Sequence, residues 1–76
     1  MIYFDKELDA RGLSCPLPIL KAKKALNQLE SGQILRVVAT DPGSVKDFAA
    51  FANQTGNELL ESSQDGQDFE YRLKKK

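Results

Sequence analysis

Two prolines spaced one residue apart, Pro16 and Pro18, constrain this chain more than any other local feature. A proline pushes the residue before it out of the α region, which is the backbone a helix N-cap adopts. Its own missing N–H costs nothing at the first helical position, and the second proline falls among first-turn donors that have no intrahelical acceptor in any case. The spacing therefore predicts a helix that begins at Pro16, capped by the residue before it. That residue is Cys15, the single cysteine of a 76-residue chain. A thiol at the positive end of a helix dipole is biased toward thiolate. Gly12 suits a tight bend in the loop that delivers it.

The remaining pattern is strand, helix, strand, helix, strand, strand. Tyr3 to Asp9 reads as a strand with one solvated face. Pro16 to Glu30 reads as a helix. At about 100° per residue Ile19, Ala22, Ala25, Leu26 and Leu29 gather on one arc, and Ser31-Gly32 offers a stop. Leu17 and Leu20 miss that arc and fall with or beside Lys21 and Lys24, as an apolar spot among lysines next to Cys15. Gln33 to Thr40 is the strongest strand signal, apolar and β-branched enough for a central place in a sheet. In Asp41-Pro42-Gly43, Asp41 can cap and Pro42 can start a second helix, in which Val45, Phe48, Ala49 and Ala52 follow helical spacing and which Gly56 ends. Asn57 to Ser63 and Asp68 to Leu73 are strands joined by Gln64-Asp65-Gly66-Gln67, where Asp-Gly favours a type I′ turn. Phe69, Tyr71 and Leu73 share one face. The prediction is an α/β (α+β) two-layer sandwich, βαβαββ, with two helices on one face of a four-stranded mixed sheet. A chain this short makes one domain, residues 1–76.

Composition removes several function classes. With one cysteine there is no internal disulfide framework, which fits a reducing, cytoplasmic setting. With no histidine there is neither an N/S metal site nor the usual base of a hydrolase. Lys plus Arg equals Asp plus Glu, so bulk charge gives no reason to expect nucleic acid. No apolar run approaches the ~20 residues of a membrane helix, and no signal peptide is read at the start. What remains at Cys15 is chemistry needing only a thiolate: accepting a group and giving it up, as in thiol–disulfide exchange. Arg11, Lys21 and Lys24 are the nearby cations that favour the anion.

The run Arg11-Gly12-Leu13-Ser14-Cys15-Pro16-Leu17-Pro18 resembles the signature of the TusA/SirA-like sulfur-carrier family. The resemblance continues through Lys21–Leu26, Ala39–Ser44 and Gln54–Leu60, nearly the whole chain. It implies a persulfide on Cys15 as the only cargo-bearing group, with no further cofactor. Pro16 and Pro18, with Arg11 and Gly12, are then structural parts of the motif. It also implies a cysteine desulfurase or rhodanese-like sulfur donor, and a relay acceptor serving tRNA thiolation, sulfur oxidation or other sulfur traffic. No direct nucleic-acid contact or membrane insertion is implied. Leu17, Leu20, Lys21 and Lys24 would form the docking face, and a carrier that meets two partners in turn is expected to be a monomer. Members serving tRNA thiolation can carry glutamate where this chain has Leu17, which leaves the pathway open. Two alternatives stay open on the residues alone. One is a small RNA-binding module using the open sheet face; the other is a regulatory interaction domain in which the cysteine is incidental.

Overall fold

The computed structural model describes residues 4–14 and 16–76, and Tyr3 and Cys15 lie outside the described residues. The elements run β1 (Lys6–Ala10), α1 (Leu17–Asn27), β2 (Ile34–Ala39), α2 (Ser44–Thr55), β3 (Glu58–Asp65) and β4 (Asp68–Lys74). This is the predicted βαβαββ order. The sheet order is β1-β2-β4-β3, with β1 parallel to β2 and β4 antiparallel to both of its neighbours. The last strand thus returns through the hairpin into the centre of the sheet, a placement that element order alone leaves undetermined.

Side chains alternate across the sheet, so one face collects Leu8, Ala10, Leu35, Val37, Ala39, Phe69, Tyr71 and Leu73. Helix α1 packs on β1 and β2, and α2 on β3 and β4. From α1 come Pro18, Ala22, Ala25 and Leu26, and from α2 Ser44, Phe48, Phe51 and Ala52. Tyr71 lies in the middle of this layer. Its ring stacks on Phe48 with centroids 4.5 Å apart, and its hydroxyl lies 2.7 Å from the buried Ser44 hydroxyl. Removal from water pushes the Tyr71 phenol above its ordinary value, partly offset by the Ser44 hydrogen bond.

The opposite face carries charge. Arg36 is bidentate to Glu70 at 3.0 Å and also meets Glu7, while Arg72 meets Glu61 and Glu70. The hydrogen bonds from Arg36 hold the Glu70 carboxyl below the usual carboxylate range despite its partial burial. The Phe4 ring lies against both guanidinium groups, at 5.8 and 5.9 Å from its centroid. A stacking surface for bases needs unpartnered cations and free aromatic faces. Here both arginines are already matched by carboxylates, which disfavours the RNA-binding alternative.

Several local expectations shift. Helix α1 starts at Leu17 with Pro16 as its N-cap, because the Pro16 carbonyl already accepts from the Leu20 amide at 3.1 Å. It ends at Asn27, where the Gln28 and Leu29 amides turn back to Ala25 and Leu26 in tighter, 3₁₀-like bonds. Gly32 is therefore no helix C′ residue. It takes its positive φ of 91° in a Glu30–Gln33 turn that hydrogen-bonds to Lys75. Helix α2 starts at Ser44 with Gly43, not Asp41, as its N-cap, and Phe51 joins Phe48 and Ala52 on its inward face, whereas Val45 and Ala49 face solvent. The hairpin pairs Asp65 with Asp68, so its loop is Gly66-Gln67. Only Gly66 has positive φ there, the pattern of a type II′ turn, because Gln67 would be strained in the second left-handed position of type I′.

Candidate functional site

Both helices begin where a parallel strand ends, so two βα junctions stand side by side at the same end of the sheet. This is the edge at which open α/β sheets place their sites. The first junction is the Cys-Pro-Leu-Pro stretch. Its approach is pinned by three backbone bonds: Arg11 N–H to Asp9 Oδ1 at 3.1 Å, Leu13 N–H to Ala10 O at 3.3 Å, and Gly12 N–H to Thr40 Oγ1 at 2.9 Å. Gly12 sits at φ 81°, a left-handed conformation that a side chain would strain. Beyond the cysteine position, Leu17 N–H donates to Ser14 O at 2.9 Å.

Of the residues singled out from sequence, Pro18 is buried under the first turn of α1, and Pro16 is exposed. Leu17 and Leu20 are 44% and 54% exposed, as their departure from the apolar arc predicts. Lys21 and Lys24 are exposed on the same helix, with no ion pair among the described residues. Helix α1 has no acidic residue in its first turn. Arg11 is placed differently from its fellow cations. Its guanidinium is bidentate to Asp9, at 3.0 and 3.1 Å. Hydrogen bonding from Arg11 lowers the Asp9 carboxyl and Asp9 in turn raises Arg11, so much of this cation's field is answered locally. The positive field beside the motif thus comes from the helix terminus, with Lys21 one turn further on and Lys24 in the last turn of α1. A cleft of about 190 Å³ runs from Arg11 and Asp9 past Glu7 to Arg36 and Asp68, and its two arginines are the ones already paired.

Asp9 and Thr40 were not among the residues singled out from sequence. Thr40 stands 28 positions from Gly12 along the chain, and only the parallel register that sets Ala10 beside Ala39 brings the two together. No linear motif signals this contact. The second junction has a similar turn, with a carboxylate again accepting the amide two residues on, and adds an acid in the first turn of its helix. Gly43 N–H donates to Asp41 Oδ1 at 3.1 Å, Ser44 N–H to Asp41 O at 2.9 Å, and Asp47 lies in the first turn of α2.

Comparison with known proteins agrees with this architecture. The family model described as sulfurtransferase TusA matches residues 6–75. The sulfur carrier protein TusA of Allochromatium vinosum is 67% identical over 75 residues, 99% of each chain. The putative sulfur carrier protein YrkI of Bacillus subtilis is 49% identical over 71 residues, covering 93% of this chain and 95% of that one. Among solved structures, the SirA-like protein of Desulfitobacterium hafniense superposes with a TM-score of 0.82 at 29% identity, over 92% of this chain and 96% of the other.

Proposed function

The chain belongs to the TusA sulfurtransferase family, and we propose that it is a sulfur carrier holding sulfane sulfur as a persulfide on Cys15. The observation that carries this reading is end-to-end similarity, at 67% identity, to a protein named as a sulfur carrier. Cys15 is the only thiol in the sequence, so it is the only side chain able to hold the cargo. The Cys15 thiolate attacks the terminal sulfur of a donor persulfide. A new S–S bond forms on Cys15, the donor's S–S bond breaks, and the donor cysteine leaves as thiolate. The terminal sulfur keeps its proton, and no net oxidation or reduction occurs. Delivery is the same exchange with an acceptor thiolate as nucleophile. Neither step requires a base, metal or organic cofactor, in keeping with a chain that lacks histidine.

The reading implies a donor of the cysteine desulfurase or rhodanese-like kind and a downstream relay acceptor, in tRNA thiolation, sulfur oxidation or another sulfur pathway. It places the protein in the cytoplasm as a monomer that meets its partners in turn. Among the described residues no helix is long and apolar enough to cross a membrane. Leu17, Leu20, Lys21 and Lys24 supply the docking face, apolar at its centre and basic around it, suited to an acidic partner surface. Incubation with a cysteine desulfurase and cysteine should add one sulfur atom to the intact mass, removable by reductant, with loading slower at high salt. Cys15→Ser should take up none. An unmodified wild type, or equal uptake by the variant, would refute the reading.

A further inference from the structure

We propose that Thr40 is a positioning residue for sulfur transfer, acting through Gly12 on the loop that carries Cys15; this rests on the persulfide reading above. Of the three backbone bonds that order residues 11–13, two hold the loop to the end of its own strand β1, Arg11 to Asp9 and Leu13 to Ala10. The bond from Gly12 N–H to Thr40 Oγ1 is the one of the three that reaches across to the neighbouring strand's end, at the residue that follows β2. Its donor is a glycine at φ 81°, the residue type with the widest alternative backbone range, three positions before Cys15. Its acceptor is a half-buried, β-branched side chain with restricted χ1. Thr40 also follows directly on the last residue of β2 and precedes Asp41, so one hydroxyl fixes the first junction relative to the second.

Exchange between two protein-held sulfurs requires the attacking atom to meet its target in line while both proteins are docked. Misplacement by about 1 Å can slow such a reaction by about 100-fold. A freely diffusing reagent imposes no such demand. Thr40 should therefore matter for protein-mediated loading and little for intrinsic thiol reactivity.

The test compares Thr40→Val, which keeps the shape and removes the acceptor, with Thr40→Ser, which keeps the hydroxyl. Desulfurase-dependent loading of Thr40→Val should fall about tenfold, while its iodoacetamide alkylation stays within about twofold of wild type. Thr40→Ser should match wild type in both. Loading of Thr40→Val within about twofold of wild type would overturn the proposal, as would a Thr40→Ser variant as slow as Thr40→Val. A parallel fall in alkylation would also overturn it, since the effect would then lie in the thiol's reactivity and not its placement. Amide exchange at Gly12 separates this failure from failure of the carrier reading. If the wild type does not load at all, the persulfide reading falls. Exchange faster in Thr40→Val and unchanged in Thr40→Ser would then still support the pin, and equal exchange in all three proteins would refute it.

Discussion

The two βα junctions share a backbone plan and differ in charge. Each follows one of a pair of parallel strands, and each contains proline and glycine before its helix. At the second, Asp41 accepts from the Gly43 amide and Asp47 sits in the first turn of α2, so carboxylates complement the positive helix end. Ser44 then turns its hydroxyl inward to Tyr71. At the first, α1 has no first-turn acid, and the lysines of the same helix are exposed. The second junction uses its helix terminus for stability. The first has no first-turn acid to use that favourable potential, and the persulfide reading proposed above assigns it to the anion on Cys15.

This contrast can be broken from either side. The largest effect is expected at the second junction. Ser44→Ala removes the partner of a buried Tyr71 hydroxyl and should destabilise the fold by about 1–3 kcal/mol. For a chain of this size each kcal/mol lowers Tm by about 4–8 °C. Sulfur loading at 25 °C should be unchanged, because the folded population still dominates. Calorimetry and a loading assay on the same sample check both halves, and loss of loading without loss of stability would show that the second junction takes part in transfer.

A smaller effect is expected from making the first junction resemble the second. Leu17 is exposed in the first turn of α1, so Leu17→Asp gives α1 a first-turn carboxylate, which α2 already has in Asp47. The helix should gain about 0.3–1 kcal/mol from the dipole. The same charge opposes ionisation of the neighbouring thiol, and alkylation of Cys15 at pH 7 should slow by about two- to fivefold. Stability rising while reactivity falls is the signature of a terminus reserved for an anion. Both moving together would contradict it.

Much of this was readable before any coordinates. Proline and glycine punctuation placed both junctions, the helical arc left Leu17 and Leu20 outside, and strand alternation placed Phe69, Tyr71 and Leu73 on the core face. The errors are those of local rules meeting tertiary packing. Val45 keeps helical spacing with Phe48, yet the phase of α2 is set by Phe48 and Phe51 packing beneath it, which leaves Val45 in solvent. The type I′ expectation for Asp65-Gly66 failed because strand register extended β3 by two residues and moved the loop to Gly66-Gln67. Arg11 reads as a cation for the thiol, and only the three-dimensional turn shows Asp9 holding it. Thr40 was invisible as a site residue because its partner, Gly12, lies in the loop after β1, 28 positions away along the chain.

The difference between the junctions is tested most directly by the pH dependence of Cys15 alkylation in the folded wild type. A helix end free of first-turn acids, with Lys21 and Lys24 on the same helix, should set the midpoint of thiolate formation below the ordinary value of about 8.5. A midpoint at or above that value would mean that the first junction offers an anion no advantage, and the contrast drawn between the two helix starts would fail.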